Sequence, residues 1–276
     1  MLDAHPALAI PPETHFLPKL IRLCQDAEAR DEDARGRVLE LLTEHRRWPD
    51  FGLEADDVRA RLVGQGPLAP AEAARAFYEA YAAKHGKLRW GEKTPQYLKT
   101  MKRIAGALPE AHFVHLIRDG RDVAVSLLEV SWGPSTVEDA AVRWTTQIRR
   151  ARRKARSVAH YTEIRYEGLV ADPEPVVRRV CEFLKLPFEP AMLDYHEGAA
   201  ERMGAVARDL EVGGGRPQIA AAERARQHEL TSEAPRTERA GRWRREMDSA
   251  DVAAFERIAG PTLAELGYEV MEAKQA

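Results

Sequence analysis

The chain has 276 residues and a mass of 31.0 kDa, with 44% hydrophobic and 31% charged residues; this is enough length for a sizeable core and an ordinary globular composition. A formal net charge of −2 gives no overall pull toward nucleic acid or an anionic membrane, so any anion site has to be built locally. Cys24 and Cys181 are the only cysteines, too few for a disulfide framework and without metal-ligand spacing. No apolar run reaches the ~18–20 residues of a membrane span and no secretory signal is read, so a soluble, cytoplasmic protein is expected.

Leu8-Ala9-Ile10 is a short apolar run stopped by Pro11-Pro12, a buried strand ending at a loop. From about Phe16 to Tyr81 the pattern is helical, interrupted at Trp48-Pro49-Asp50 and at Gly64-Gln65-Gly66-Pro67. No chemistry is read in this stretch; residues 20–89 are expected to form a helical cover over a sheet edge or a substrate cleft. Thr94-Pro95 reads as an N-cap followed by proline at the first helical position, and Tyr97, Leu98, Met101, Ile104 and Leu108 continue an apolar stripe at helical spacing up to Pro109-Glu110.

His112 to Ile117 is a strand that Asp119-Gly120 turns into a helix carrying Val123, Val125, Leu127 and Leu128. A long helix covers Val137 to Val158, Tyr161 to Tyr166 is a further strand, and Asp172-Pro173 opens a helix through Leu184. Gly213-Gly214-Gly215 marks a flexible segment running to about Pro235, and the tail is helical from about Val252 to Leu266 with a break expected at Gly260-Pro261. Alternating strands and helices predict an α/β domain with a mainly parallel sheet between helical layers.

The strongest local chemistry lies between His112 and Ser126. An arginine at the carboxyl end of a buried strand, followed by a turn into a helix, sets a fixed cation beside a helix N-terminus, which itself favours anions. Arg118 offers a planar fork suited to phosphate, and Ser126 is a lone hydroxyl on an apolar helix. The alternative is local pairing: Arg118 with Asp119 or Asp122, and Ser126 back onto its own helix. The run Arg149-Arg150-Ala151-Arg152-Arg153-Lys154-Ala155-Arg156 is the most basic stretch. Its charges wrap around the helix, and it reads as a solvated face or a contact for an acidic acceptor or phosphate; no aromatic interleaving or motif points to nucleic acid.

Taken together, Met1-Leu2-Asp3-Ala4-His5-Pro6, Pro11-Pro12-Glu13-Thr14, Gly91-Glu92-Lys93-Thr94-Pro95 and His115-Leu116-Ile117-Arg118-Asp119-Gly120-Arg121 with Ser126 resemble the sulfotransferase family. That family moves a sulfuryl group from 3′-phosphoadenosine 5′-phosphosulfate (PAPS) to an acceptor. The resemblance covers about residues 1–19, 90–193 and 236–268 and implies a single three-layer α/β/α domain over residues 1–276. Its architecture would be of the P-loop NTPase/sulfotransferase kind, with residues 20–89 as an insertion. It further implies that Arg118 and Ser126 hold the 3′-phosphate, with Tyr166 near the nucleotide. Arg236-Thr237-Glu238-Arg239-Ala240-Gly241-Arg242-Trp243-Arg244 resembles the loop that closes over that phosphate; Arg236 matches its leading arginine. Thr237-Glu238 stands where many cytosolic members have Lys-Gly, which leaves Arg236, Arg239 and Arg242 as alternatives for the contact.

Cytosolic members use a histidine base in a Lys-Thr-His-Leu-Pro motif; Lys93-Thr94-Pro95 lacks it. The chain instead resembles the branch with tyrosylprotein and many bacterial sulfotransferases. That likeness implies Glu13 as base, with His15 competing, and Lys93 as stabiliser of developing charge. The other role for Glu13 is to cap the helix that follows. No metal is implied, and the acceptor would be a hydroxyl, or an amine, on a small molecule, carbohydrate or peptide. The family's loop of the Pro-Arg-Ser-Gly-Thr-Thr kind, which cradles the 5′-phosphosulfate, has no counterpart in the sequence. Met1-Leu2-Asp3 matches the end of the helix after it, so the first strand and the loop are expected upstream, with Met1 an internal methionine. The other readings are a truncated, non-catalytic paralogue that binds PAP or another nucleotide, and a P-loop small-molecule kinase. The latter should bring a Gly-Lys-Ser/Thr loop and a Mg²⁺-binding carboxylate, neither of which is seen.

Overall fold

A computed structural model of the chain describes residues 1–26, 33–64, 66–130, 132–198 and 233–271; Gly213-Gly214-Gly215 lie outside the described residues. The chain divides into two units, Met1–Ala111 with Pro187–Ala234, and His112–Leu186 with Pro235–Ala276.

In the first unit, β1 (Leu8–Ala9) is followed by α1 (Leu17–Gln25), α2 (Ala34–Thr43), α3 (Trp48–Phe51), α4 (Ala55–Arg59), α5 (Pro70–Lys84) and β2 (Arg89–Trp90). A 3₁₀ turn, Pro95–Thr100, then leads into α6 (Met101–Ala107). β1 and β2 pair in parallel, Leu8 opposite Arg89 and Ala9 opposite Trp90. The ladder extends through the Arg89 and Gly91 amides, which donate to the Ala7 and Ala9 carbonyls at 2.8 Å.

Proline at the start of α5 and a Glu72 carboxylate returning to the Ala69 amide set its first turn. Its buried stripe includes Ala73, Ala74, Phe77, Tyr78 and Ala80. Phe16, Phe51, Phe77 and Tyr78 are all buried. Phe77 meets Phe16 and Phe51 edge-on at 4.7 and 4.9 Å, while Tyr78 stacks on Trp90 at 4.4 Å. The helical region therefore builds the core on which the Glu13 loop rests.

Two expectations change in this unit. Trp48-Pro49-Asp50 opens the single turn α3 rather than breaking a helix, since proline is tolerated in a first turn; Gly52, at φ 57°, ends it. Thr94 occupies the N-cap, but its hydroxyl bonds Glu92 instead of capping, and the first turn winds as 3₁₀.

The second unit begins with β3 (His112–Ile117), α7 (Gly120–Leu128), α8 (Val137–Ala155), β4 (His160–Arg165), α9 (Tyr166–Ala171) and α10 (Pro173–Leu184). It ends with α11 (Trp243–Glu246) and α12 (Ser249–Glu265). β3 and β4 are parallel over six pairs, His112 opposite His160 through Ile117 opposite Arg165. The His112 and His160 rings stack at 4.2 Å against Phe183 of α10 on one face. Alternation turns Glu163 to the other face, where Arg152 of α8 binds it at 2.8 Å. This unit is thus helix, sheet and helix in layers, and the chain as a whole is α/β. Its described strands form two separate parallel pairs, β1 with β2 and β3 with β4.

The core here joins Ile117, Ala124, Ala140, Trp144, Ile148, Phe255, Ala259 and Leu263. α12 runs unbroken through Pro261, against the expected break. Proline forfeits one backbone hydrogen bond, yet it falls near the helix end, and buried Phe255, Ala259 and Leu263 hold both sides of it. Gly120 is obligatory for a different reason. A β-carbon there would lie 2.5 Å from the Trp144 indole and 2.8 Å from Phe255. Gly120→Ala is expected to lower stability by about 1–3 kcal/mol, the usual penalty for overpacking; an unchanged unfolding midpoint would show that the indole can move aside.

Candidate active site

The first unit brings Glu13 and Lys93 together. The loop after β1 carries Pro11 through His15, and the loop after β2 carries Gly91 through Thr94, so parallel pairing of two short strands delivers both loops to one end of the ladder. Lys93 Nζ donates to Glu13 Oε1 at 2.5 Å, and the His15 ring lies 3.1 Å from Glu13 Oε2. Glu13 does not cap α1, which begins at Leu17 without a side-chain cap. Burial pushes its carboxyl pKa up, but hydrogen bonds from His15 and Lys93, and their charges, outweigh this and hold it at about 2. His15 sits at φ 56°, in the left-handed region that a non-glycine residue adopts at a cost. The backbone there is bent so that the ring folds back onto Glu13.

Behind this pair lies a set of groups that the sequence did not single out. Glu92, half-buried, accepts from Thr14 at 2.8 Å and Tyr78 at 2.7 Å on Oε2, and from Thr94 on Oε1. Burial raises its carboxyl pKa more than those hydroxyls lower it. Tyr78 comes from α5, so the helical cover does contribute a polar group to this region, contrary to expectation. A tyrosine within the apolar stripe of α5 is its trace in the sequence.

The second unit brings Arg118, Ser126 and Tyr166 together. Arg118 lies just past β3, and its carbonyl accepts the Trp144 indole N–H at 3.2 Å. Its guanidinium lies 4.9 Å from the Tyr166 ring centre and 3.5 Å, through Nη1, from Ser126 Oγ. Of the two carboxylates considered for Arg118, Asp122 is 3.7 Å away, and Asp119 instead binds Arg121. Arg118 Nε is buried with no hydrogen-bond partner. An unmatched charged donor costs free energy, and an anion approaching the Arg118 fork would satisfy it; the residues present therefore suit a phosphate.

Asp122 has a further role besides its ion pair with Arg118. Fully buried, it accepts the amides of Gly241 at 2.8 Å and Trp243 at 2.9 Å. It clamps the basic loop to α7, while Gly241 at φ 77° supplies the turn. The same loop returns the Arg239 carbonyl to Arg118 Nη2 at 2.6 Å. Of the three alternative arginines, Arg242 is held by Glu129 at 2.6 Å and Glu246 at 2.7 Å. Arg236 stands exposed at the N-cap of the turn Thr237–Arg239, and Arg239 is the one whose backbone touches Arg118.

In the basic run on α8, Arg152 is bound to Glu163, whereas Arg149, Arg150, Arg153 and Arg156 are exposed. A cavity of about 180 Å³ in this unit is lined by Arg121, Trp243, Arg244 and Tyr268 among others, not by Arg118 or Ser126. Arg121 and Arg244 are already paired with carboxylates. Among the described residues no cluster suits a metal ion and no helix is long and apolar enough to cross a membrane.

The chain is similar to several known proteins. Two solved structures superpose over most of the chain, each at 20% identity. The sulfotransferase domain of the Synechococcus PCC 7002 olefin synthase has a TM-score of 0.58 and is covered over 88% of its length by 97% of this chain. The sulfotransferase domain of the curacin biosynthetic pathway scores 0.55, with 92% and 98% covered. In sequence, the chain is 26% identical over 214 residues to protein-tyrosine sulfotransferase 1 of Danio rerio, covering 75% of this chain and 54% of that protein. It is 24% identical over 206 residues to the protein-tyrosine sulfotransferase of Drosophila melanogaster, covering 71% and 37%. The chain thus spans about half the length of these relatives, or less. Residues 1–190 match the family described as the sulfotransferase family, and with more than half its length so matched, the chain belongs to that family.

Proposed function

We propose that the protein is a PAPS-dependent sulfotransferase that passes a sulfuryl group to a hydroxyl, with the phenol of a tyrosine in a peptide or protein as the favoured acceptor. The observation that carries this reading is the Glu13 carboxylate held between Lys93 and His15. Sulfuryl transfer requires removal of the acceptor proton and neutralisation of charge on the departing phosphate oxygen. Glu13, ionised at neutral pH, supplies the base. Lys93 supplies the cation: as it swings to the leaving oxygen it withdraws its charge from Glu13, which becomes more basic when the proton has to be accepted. Arg118 and Ser126 take the 3′-phosphate, Tyr166 lies beside the nucleotide, and Arg236 or Arg239 closes over it, Arg242 being occupied by carboxylates. The tyrosine acceptor is suggested by the names of the relatives.

The test has two arms. Sulfate transfer from PAPS is measured with tyrosyl peptides, simple phenols, sugars and amines as acceptors; transfer to none of them sinks the catalytic reading and leaves a nucleotide-binding protein. In the second arm, calorimetry compares PAP with AMP, which lacks the 3′-phosphate. A charge-assisted hydrogen bond contributes ~1.5–3 kcal/mol. Arg118→Ala is therefore expected to remove about 10- to 150-fold of the preference for PAP and to leave AMP binding almost unchanged. Equal affinity of the unaltered protein for PAP and AMP would make Arg118 a structural arginine.

A further inference from the structure

The loops bearing Glu13 and Lys93 are joined by backbone only through a two-residue parallel pair and the flanking Arg89 and Gly91 amides. Beyond Gly91 the loops are tied through side chains: Thr14 to Glu92 and Lys93 to Glu13. We propose that Glu92 is a positioning residue for the base: its half-buried carboxylate gathers the hydroxyls of Thr14, Tyr78 and Thr94, and so sets the separation of Glu13 and Lys93. This rests on the reading of Glu13 as the base.

Proton accounting shows why a carboxylate is needed. The Leu17 amide donates to Tyr97 Oη at 3.0 Å. Tyr97 Oη can then give its own proton to Thr14 Oγ1, 2.9 Å away. Thr14 donates to Glu92 Oε2, which also accepts from Tyr78, while Oε1 accepts from Thr94. Every donor in the set ends on Glu92, and an ionised carboxylate is acceptor-only. Thr14 adjoins both Glu13 and the strained His15, and Thr94 adjoins Lys93. Each oxygen of one carboxylate therefore fixes the neighbour of one member of the pair. An amide of the same shape offers only one acceptor oxygen, so its NH₂ group faces a hydroxyl that must turn its own proton elsewhere. The arrangement also raises the cost of error, because Thr14 is fully buried and Thr94 nearly so.

Three variants test this: Glu92→Gln, Glu92→Asp and Thr94→Val, the last removing one donor with little change of shape, should Glu92→Gln fail to fold. Misplacing a catalytic group by about 1 Å can cost ~10²-fold, so kcat is expected to fall ~10–10²-fold in Glu92→Gln. KM and PAP affinity should hardly change, and Glu92→Asp should recover part of the loss. The second readout needs no turnover. Followed by the NMR shift of its carboxyl carbon, Glu13 should titrate near 2 in the unaltered protein. In Glu92→Gln or Thr94→Val it should move toward the ordinary value of ~4.3 as Lys93 and His15 separate from it. A lower melting temperature with the Glu13 titration and kcat unmoved would make Glu92 a structural residue only and overturn the inference. If the titration shifts but no preparation transfers sulfate, the positioning of Glu13 stands and the sulfotransferase reading falls.

Discussion

Glu13→Gln is expected to lower kcat by ~10²–10⁴, the range for loss of a general acid–base group, while PAP affinity stays within a few-fold. The amide keeps the shape and can still accept from Lys93, which donates at 2.5 Å, but it cannot take a proton. The nucleotide contacts assigned to Arg118, Ser126 and Tyr166 belong to a different unit of the chain, so binding and chemistry should separate. The measurement is steady-state turnover with PAPS beside calorimetry with PAP, on any preparation that turns over. His15→Ala is the necessary companion, because the His15 ring also touches Glu13. Normal turnover in Glu13→Gln with its loss in His15→Ala would transfer the role of base to the histidine.

The same contacts predict a pH dependence of stability. A carboxyl held at about 2 in the folded chain, below its unfolded value of ~4.3, contributes stability that is complete above the unfolded value. That contribution disappears as pH falls from there through the folded value, because protonation abolishes the attraction to Lys93 and His15. Glu13→Gln should therefore be less stable than the unaltered protein at neutral pH, with the difference shrinking between roughly pH 4 and pH 2.

The elements most legible in the sequence were those whose signal is local. The apolar run His112–Ile117, the Asp119-Gly120 turn and the helix after it emerge as β3 and α7, with Asp119 capping through the Arg121 amide at 2.9 Å. The family resemblance paired Arg118 with Ser126, and because strand, turn and helix are contiguous the two lie 3.5 Å apart. What was not legible depends on partners far along the chain. Glu92 stands in a short motif where only Lys93 drew attention; its meaning comes from Tyr78 on α5 and Thr14 after β1. Asp122 read as a local partner for Arg118 within a helix, yet both its oxygens are taken by the Gly241 and Trp243 amides about 120 residues later. Pro261 misled for the converse reason: local propensity argues for a break, and burial of α12 against α8 through Phe255 and Trp144 overrides it.

Arg121 shows most sharply how distance in the chain hides energetics. From the sequence it is one more charge in Arg118-Asp119-Gly120-Arg121-Asp122; in the fold it is 1% exposed. Its guanidinium takes both oxygens of Asp119, at 3.0 and 2.7 Å, and Glu256 Oε1 at 2.6 Å. It also lies 3.6 Å from the Trp243 ring centre. The other oxygen of Glu256 accepts the Met271 amide at 2.9 Å. One cation thus ties the strand-end turn to α12, to the basic loop and, through Glu256, to Met271. Arg121→Met fills similar volume but strands two buried carboxylates, so stability should drop by about 3–5 kcal/mol, the cost of breaking a buried ion pair from one side. For a chain of this size that corresponds to a fall of about 10 °C in the Tm of the transition involving this unit. The Gly241 and Trp243 amides should lose hydrogen-exchange protection with it, since Trp243 then keeps only the Arg244 guanidinium, 4.4 Å from its ring centre. Adding Glu256→Leu to Arg121→Met removes one of the stranded charges and should recover part of the loss, whereas Glu256→Leu alone should destabilise by leaving Arg121 half paired. An unchanged Tm in Arg121→Met, or a double variant less stable than both singles, would show that these charges are solvated and that the loop is held by Asp122 alone.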